Sequence, residues 1–206
     1  MTSEPNIPSR LVLASSSPRR QELVASLGLS LPVHILPTDT DESVPSGWTP
    51  AQIVERLSLR KARAAARLLA AAGDSVPSLV LGADTIVVLD GDVLGKPANR
   101  ADAVQTLRRL QGRSHKVYSG MTLIGTHTGA EISAHRMTRV TMKPLDHETI
   151  ERYVATGEPL DKAGSYGIQG LGATLVSGIE GCYFNVVGLP LSLLSDMLAE
   201  QGVPVL

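Results

Sequence analysis

The chain has 206 residues, enough for one substantial hydrophobic core and too few for two ordinary domains of independent stability. Its 19 basic and 20 acidic residues give a formal net charge of -1, which excludes a strong overall attraction to nucleic acid or to an anionic membrane. Any anion-binding site must therefore be local, and one Trp and one Phe are too few for a surface that stacks single-stranded bases.

The first ten residues carry Glu4 and two prolines, and they lack the basic start and apolar run of a secretory signal. No stretch approaches the roughly 18 apolar residues of a membrane-spanning helix. Cys182 is the only cysteine, so no internal disulfide can form and a reducing compartment is favoured. We therefore expect a cytoplasmic protein that does not contact membranes, with residues 1–10 as an N-terminal extension and residues 11–206 as one domain.

Hydrophobic periodicity and boundary residues predict the elements in chain order. Predicted strands comprise residues 11–14, 33–36, 78–82, 85–89, 93–94, 117–124 and 134–142. Predicted helices comprise residues 18–27, 50–72, 100–110 and 146–155, and a last helix begins at Pro190. Strands and helices alternate without a strict βαβ rhythm, which predicts an α/β protein with a mixed sheet flanked by helices.

Several boundaries have a specific chemical reason. Ser17 is predicted to cap the first helix with its side chain, and Thr49 with Gln52 has the spacing of a capping box. The pair Asp90-Gly91 predicts a two-residue hairpin turn. Asp84 is predicted to interrupt a strand region, and the glycine-rich residues 158–170 are predicted to form a loop that approaches a ligand.

Two arginines, Arg19 and Arg20, fall in the predicted first turn of a helix, where the helix macrodipole disfavours positive charge. Backbone amides of that turn and two guanidinium groups would suit a phosphate, which arginine contacts in a bidentate way. The alternative is that both arginines point into solvent. Ser15 and its neighbours do not form the elbow of a serine hydrolase, and we interpret them as turn, capping and phosphate-contact residues.

Acidic residues occur in two settings. Asp84 lies between apolar runs, where a buried carboxylate needs a cation or hydrogen-bond donors, whereas Asp39, Asp41 and Glu42 lie in a loop. Carboxylates are natural magnesium ligands, so Asp84 is a candidate ligand, and the alternative is a carboxylate that caps nearby amides. For Asp39 and Asp41 a solvated loop is the favoured interpretation.

Lysines could contact phosphate at two places. Lys61 lies on a long predicted helix, where most lysines are solvated, and Lys96 lies between Gly95 and Pro97 after the hairpin. Neither Lys96 nor the glycines of residues 164–172 match a Walker A loop or a dinucleotide fingerprint. The five histidines lack the spacing of zinc ligands.

Six ordered blocks of the sequence together resemble the Maf family. They are LASSSPRR (13–20), GADT (82–85), LGKP (94–97), HKVY (115–118), EPLDKAG (158–164) and YGIQG (166–170). The resemblance extends from about Leu11 to the last helix. The sequences of the last two blocks resemble those of the family branch that acts on dTTP and UTP.

This resemblance implies a two-lobed single domain with a central cleft, like that of the inosine triphosphate pyrophosphatases, and a homodimer. It implies a metal-dependent hydrolase, with Mg²⁺ or Mn²⁺ as cofactor, that cleaves nucleoside triphosphates to monophosphate and pyrophosphate. It implies that Asp84 is the proton acceptor, and that Lys61, Lys96 and Glu42 contact the phosphates and the metal. It implies that Glu42 and Asp84 are the metal ligands. The residues assigned to substrate binding are Ser15, Arg19, Arg20, Thr85 and Gln169.

Other functions stay open at this point. The enzyme could instead act on 7-methyl-GTP or on another noncanonical nucleoside triphosphate, such as ITP. A second alternative is a nucleotide-binding regulator of septum formation, although retention of Asp84 together with both lysines favours catalysis. A nucleic-acid-binding module has no basic stripe to support it.

Overall fold

The computed structural model describes residues 7–206, so residues 1–6 of the predicted extension lie outside the described residues. The strands are β1 (Arg10–Leu13), β2 (Val33–Ile35), β3 (Ser78–Leu89), β4 (Asp92–Leu94), β5 (Ser114–Gly125), β6 (Glu131–Met142) and β7 (Val176–Glu180). The helices are α1 (Pro18–Ser26), α2 (Pro50–Ala71), α3 (Arg100–Leu110), α4 (His147–Ala155), α5 (Tyr183–Val187) and α6 (Leu191–Glu200). Three short 3₁₀ turns lie within residues 158–175.

The strands form one mixed sheet, as the sequence predicts. Its order is β2-β1-β3-β5-β6-β7, and β4 pairs with β3 outside that path. Strand β1 is parallel to both β2 and β3, whereas β3 with β4 and β6 with β7 are antiparallel. The α/β class with a mixed sheet flanked by helices is therefore confirmed.

Three details differ from the sequence predictions. Asp84 does not interrupt a strand, because β3 is 12 residues long and is continuous through this position. Ser17 is the N-cap residue of α1, but its side chain makes no capping hydrogen bond. Its amide instead donates to Ser15 Oγ at 3.2 Å. Strand β7 was not predicted, since its sequence Val176–Glu180 contains a glycine and a serine and only five residues.

Other predicted boundaries are confirmed by their hydrogen bonds. Thr49 and Gln52 form the reciprocal capping box at the start of α2. Asn99 caps α3 through its side chain, as the predicted start of that helix at residue 100 requires, whereas Asp146 was predicted as the first residue of its helix and instead caps α4. Asp90 and Gly91 both have positive φ angles in the turn between β3 and β4, as a type I′ hairpin requires.

The chain divides into two compact units. The first unit contains the described residues up to Asp84 together with Gly120–His135 and Gly188–Leu206. The second contains Thr85–Ser119 and Arg136–Val187. Strands β3, β5 and β6 contribute residues to both units, and the boundary in β3 falls between Asp84 and Thr85.

Helix α2 lies directly against the sheet of the first unit because two strand positions are glycine. A Cβ on Gly82 would overlap the carbonyl oxygen of Ser58 and the backbone of Ala62, both in α2. A Cβ on Gly120 would likewise overlap the backbone of Val54. The absence of these side chains lets the helix backbone approach β3 and β5 closely, and α2 buries Ala62 completely.

The core of the second unit surrounds one face of α3 with residues of β3, β4, β5, β6 and α4. Leu107 and Leu110 are fully buried there, and Tyr166 is 5% exposed. His115 lies in the same core, 3% exposed, and its Nε2 lies 2.7 Å from the hydroxyl of Tyr166. Burial lowers the pKa of His115 to about 4, because an imidazolium would lose its hydration there.

Among residues 7–206, none of the helices is both long enough and apolar enough to cross a membrane.

Replacing Gly82 by alanine should destabilise the protein by about 2–3 kcal/mol or more, because the added methyl group overlaps helix backbone that cannot rotate away. Gly178→Ala is the matched control, since a Cβ at that strand glycine meets no atom within 4 Å, and it should change stability by less than about 0.5 kcal/mol. Urea unfolding of the two variants measures both values. Equal effects of the two substitutions would contradict the close-approach argument.

The buried imidazole should make the protein less stable as the pH falls. The pKa of His115 is about 4 in the folded protein and 6.5 in the unfolded chain, so between these pH values only the unfolded state takes up a proton. The free energy of unfolding is therefore unaffected by His115 above about pH 6.5, and it decreases progressively as the pH falls to 4. His115→Gln, whose amide can either donate to or accept from the Tyr166 hydroxyl, should therefore gain about 2–3 kcal/mol of stability relative to wild type between pH 7.5 and 4.5. Urea unfolding across that range tests this, and the exposed His127→Gln should track wild type.

Candidate active site

A lysine between two carboxylates forms the centre of the first unit's polar cluster. Lys61 Nζ lies 2.5 Å from Asp84 Oδ1 and 2.8 Å from Glu42 Oε1. The Lys61 and Asp84 side chains are 13% and 9% exposed, whereas Glu42 is 57% exposed. The interpretation of Lys61 as a solvated helix residue is therefore wrong, and the buried Asp84 has the cation that its position requires.

The close approach of α2 to the sheet explains this contact. Alternate residues of a strand share a face, so Asp84 lies on the same face of β3 as Gly82, two residues before it. Gly82 is the position where α2 passes closest, at Ala62 and Ser58. Lys61 precedes Ala62 on the helix, and its side chain is therefore within reach of the Asp84 carboxylate.

The arginines of α1 belong to the same electrostatic neighbourhood. Burial lowers the pKa of Arg20, and the charge of Arg19 acts in the same direction, whereas Asp84 and Glu42 oppose both effects. Arg20 Nε also donates to the carbonyl oxygen of Gly188 at 2.9 Å. A guanidinium held in this way does not point into solvent, so for Arg20 the solvated alternative is wrong.

The first unit thus contains three cationic side chains and two carboxylates of the predicted site, namely Arg19, Arg20, Lys61, Glu42 and Asp84. Ser15, which immediately follows the buried Ala14 at the end of β1, is itself 7% exposed, and its Oγ accepts from the amide of Ser17. Together these residues offer cations for phosphate oxygens and carboxylates for a metal ion or a proton.

The acidic loop that carries Glu42 is more ordered by side chains than its sequence suggests. Asp41 accepts from the amide and the hydroxyl of Ser43 at 2.8 and 2.5 Å, and these hydrogen bonds lower its pKa. Arg60 of α2 donates to backbone carbonyls of the same loop. The sequence analysis missed Arg60, although its place next to Lys61 on the helix was a usable signal.

In the second unit, Thr85 is the first member of a chain of hydroxyl groups. Thr85 Oγ1 lies 2.8 Å from Ser119 Oγ, and the Ser119 hydroxyl donates to the carbonyl oxygen of Asn185 at 2.9 Å. Because a serine hydroxyl has only one hydrogen, Ser119 must accept from Thr85. The Thr85 hydroxyl is therefore the donor in its hydrogen bond with Ser119.

Lys96 and Gln169 are exposed residues of two loops in the second unit. These loops are joined by a hydrogen bond from the Gly164 amide to the Gly95 carbonyl oxygen, at 3.0 Å. The bond lies one residue before Lys96 and at the end of the EPLDKAG block. Two of the sequence blocks that looked separate are therefore connected within this unit.

The loop of Gln169 is held by Glu158 and Tyr153. Glu158 accepts from the amides of Leu171 and Gly172 at 3.0 and 2.9 Å, and the Tyr153 hydroxyl donates to Glu158 and accepts from the Gly167 amide. Burial alone would raise the pKa of Glu158, but these donors and Lys162 outweigh it and lower the pKa. A fixed carboxylate thus organises the backbone on both sides of Gln169, a role that sequence analysis did not assign.

The donor set fits a magnesium ion by its chemistry. Among residues 7–206 there is no group of three or more His, Cys, Asp or Glu side chains that could hold a metal ion. Glu42 and Asp84 supply two carboxylates that already face one cation, the Lys61 ammonium. Mg²⁺ commonly uses one or two protein carboxylates and completes its shell with water and substrate phosphates, so two carboxylates are enough for such a site.

The chain is similar to known proteins of one family along almost its whole length. A family model described as Maf-like protein matches residues 10–201. A protein of Moorella thermoacetica named dTTP/UTP pyrophosphatase is 55% identical over 197 residues, covering 96% of this chain and 97% of its own. Proteins of the same name from Pelotomaculum thermopropionicum and Desulforamulus reducens are 52% and 49% identical, and each alignment covers 95% of this chain and 98% of the relative. On the family match and these near-full-length identities, the chain belongs to the Maf family.

Proposed function

We propose that this protein hydrolyses nucleoside triphosphates, with dTTP and UTP as preferred substrates, to the monophosphate and pyrophosphate. The observation that carries the proposal is the buried Asp84 carboxylate paired with Lys61, with Glu42 and the α1 arginines in the same unit. This set combines a base, metal-binding carboxylates and cations for a triphosphate. The shared name of relatives that match almost the whole chain supports the substrate class.

The reaction is a water attack on the α-phosphorus. Asp84 accepts the proton of the attacking water as the new phosphorus–oxygen bond forms. The bond between the α-phosphorus and the oxygen that bridges to the β-phosphorus breaks, and its electron pair leaves with pyrophosphate. Lys61, Arg19 and Lys96 offset the charge on that leaving group, so electrostatics and positioning supply most of the rate.

A divalent cation, Mg²⁺ or Mn²⁺, would be held by Glu42 and Asp84. When bound, it would supply charge neutralisation for the phosphate oxygens and a lower pKa for a coordinated water. Lys61 contacts both carboxylates in the protein described here, and its side chain is long and flexible. Its ammonium can therefore turn toward a phosphate oxygen while the carboxylates remain on β3 and the acidic loop.

We assign selection of the base to hydrogen bonding by Arg20, Thr85 and Gln169. Thymine and uracil carry an imide N–H, which needs an acceptor, and the Thr85 oxygen can act as that acceptor because its own hydrogen is donated to Ser119. Cytosine has an unprotonated nitrogen at that place and would set two acceptors against each other. Gln169 provides both a donor and an acceptor for the carbonyl and imide edge.

We also place the reaction in the cytoplasm and assign it to a homodimer. The single cysteine, Cys182, is compatible with a reducing compartment, and it is partly buried. The homodimer rests on the family resemblance alone.

Replacing Asp84 by asparagine should lower turnover of dTTP by ~10²–10⁴-fold while nucleotide still binds, because the proton acceptor is lost and the cations that contact the triphosphate remain. Pyrophosphate release measures turnover, isothermal titration measures binding, and circular dichroism checks the fold. Asp92→Asn, an exposed carboxylate of β4, is the matched control and should keep wild-type turnover. Near-normal turnover by Asp84→Asn would remove the proton-acceptor assignment, and activity that persists in chelator would remove the metal.

A substrate panel of dTTP, UTP, CTP, 7-methyl-GTP and ITP tests base selection. We expect kcat/KM for dTTP and UTP to exceed that for CTP by ~10²-fold or more, since an unpaired acceptor is costly in a site built for a donor. Thr85→Val should shrink that ratio. Activity confined to 7-methyl-GTP or ITP would overturn the pyrimidine preference, and tight binding without cleavage of any nucleotide would favour a regulator.

A further inference from the structure

The backbone on both sides of Glu42 is held by one side chain of α2. Arg60 Nη1 donates to the carbonyl oxygen of Asp41 at 3.0 Å and to that of Ser43 at 2.7 Å. These are the residues immediately before and after Glu42. The loop between β2 and α2 has no regular structure in this stretch, so these bonds replace the hydrogen bonds that a helix or strand would supply.

The Asp41 side chain closes the same short turn from the inside. Its carboxylate accepts from the amide and from the hydroxyl of Ser43, as given above. The turn thus has an internal bond set from Asp41 and an external one from Arg60. A mobile glutamate would sample many rotamers and backbone positions, at an entropic cost on every binding event, and the fixed turn removes the backbone part of that cost.

The guanidinium of Arg60 is itself held by an aromatic ring. Its central carbon lies 5.7 Å from the ring centroid of Trp48, and that of Arg56, one helical turn earlier, lies at the same distance from the same ring. Trp48 immediately precedes Thr49, the first residue of the capping box of α2, so its backbone adjoins a capped helix start. Cation–π contact with this ring favours a single direction of the Arg60 side chain.

Arg60 and Lys61 are consecutive on α2 and act on the same glutamate. Arg60 holds the backbone of Glu42 through its neighbours, and Lys61 contacts the Glu42 carboxylate. We propose that Arg60, supported by Trp48, is the positioning residue that fixes Glu42 for its role beside Asp84. This inference rests on the proposed function for its catalytic consequence, and the contacts that carry it are independent of that function.

Arginine is required for this geometry rather than any cation. One planar guanidinium reaches two carbonyl oxygens and stacks on an indole at the same time, whereas the lysine ammonium is a compact, strongly hydrated charge. Arg60→Lys should therefore restore only part of what Arg60→Gln loses. Arg56→Gln is the matched control, because Arg56 contacts the same ring and is not among the donors to the loop carbonyls.

The experiment compares wild type, Arg60→Gln, Arg60→Lys and Arg56→Gln in three measurements. Turnover of dTTP is measured over a range of Mg²⁺ concentrations. Hydrogen exchange of the peptide spanning residues 39–47 is measured without nucleotide or metal. Fluorescence anisotropy and quenching of Trp48, the only tryptophan, are measured in the same metal-free protein.

We expect Arg60→Gln to lower kcat by ~10–100-fold, to change KM for dTTP by less than about threefold, and to raise exchange of the 39–47 peptide and the quenching of Trp48. Arg60→Lys should fall between wild type and Arg60→Gln, and Arg56→Gln should keep wild-type kcat and exchange. Wild-type exchange in Arg60→Gln, or a loss of kcat equal to that of Arg56→Gln, would overturn the proposal.

The measurements distinguish failure of the proposed function from failure of the positioning role of Arg60. If wild-type protein hydrolysed no nucleoside triphosphate, the proposed function would fail, while exchange and Trp48 quenching would still decide whether Arg60 holds the loop. If wild type were active and Arg60→Gln equally so, the proposed function would stand and the positioning role would be lost.

Discussion

The ion pair of Lys61 with Asp84 and Glu42 is the interaction on which the first unit's polar cluster depends. Opposite unit charges at about 4 Å attract by about 4 kcal/mol at an effective dielectric constant of about 20, and like charges repel by a similar amount. Without the ammonium, two carboxylates would approach each other while one of them is buried. The lysine therefore permits an acidic pair in a partly buried place. In the proposed reaction this pair supplies the ligands for the metal ion, and Asp84 supplies the proton acceptor.

This ion pair in turn depends on backbone packing rather than on the charges themselves. Helix α2 reaches Asp84 because Gly82 and Gly120 leave no side chain between the helix and the sheet. The buried alanines Ala62 and Ala65 continue the same close contact along the helix. The small residues that determine where Lys61 lies are thus chemically silent, and their effect on the site is geometric.

In the second unit, hydrogen bonds hold the predicted site residues and the loops that carry them in fixed orientations. Glu158 is a partly buried anion that accepts hydrogen bonds from two backbone amides and a tyrosine hydroxyl, so it organises the loop around Gln169 without contacting Gln169 through these bonds. Thr85 is oriented by a relay that ends at the backbone of Asn185. Arg60 does the same for Glu42 in the first unit. In each case a polar side chain outside the predicted site bonds either a side chain of that site or the backbone beside one.

Local chemistry by itself determined the elements of this protein. Capping residues, the Asp90-Gly91 turn and hydrophobic periodicity located five helices and six strands to within a few residues, because these signals act between neighbours in the chain. The six ordered blocks also identified the family and predicted the residues of the site. What only the tertiary structure decided was which of those residues meet: that Lys61 is paired rather than solvated, that Asp84 lies within a continuous strand, and that Arg60, Glu158 and Ser119 support the site. The contacts of Glu158 with Leu171, of Arg60 with Ser43 and of Ser119 with Asn185 join residues 13, 17 and 66 positions apart. No local pattern specifies such contacts, because they follow from the packing of elements that the chain brings together only on folding.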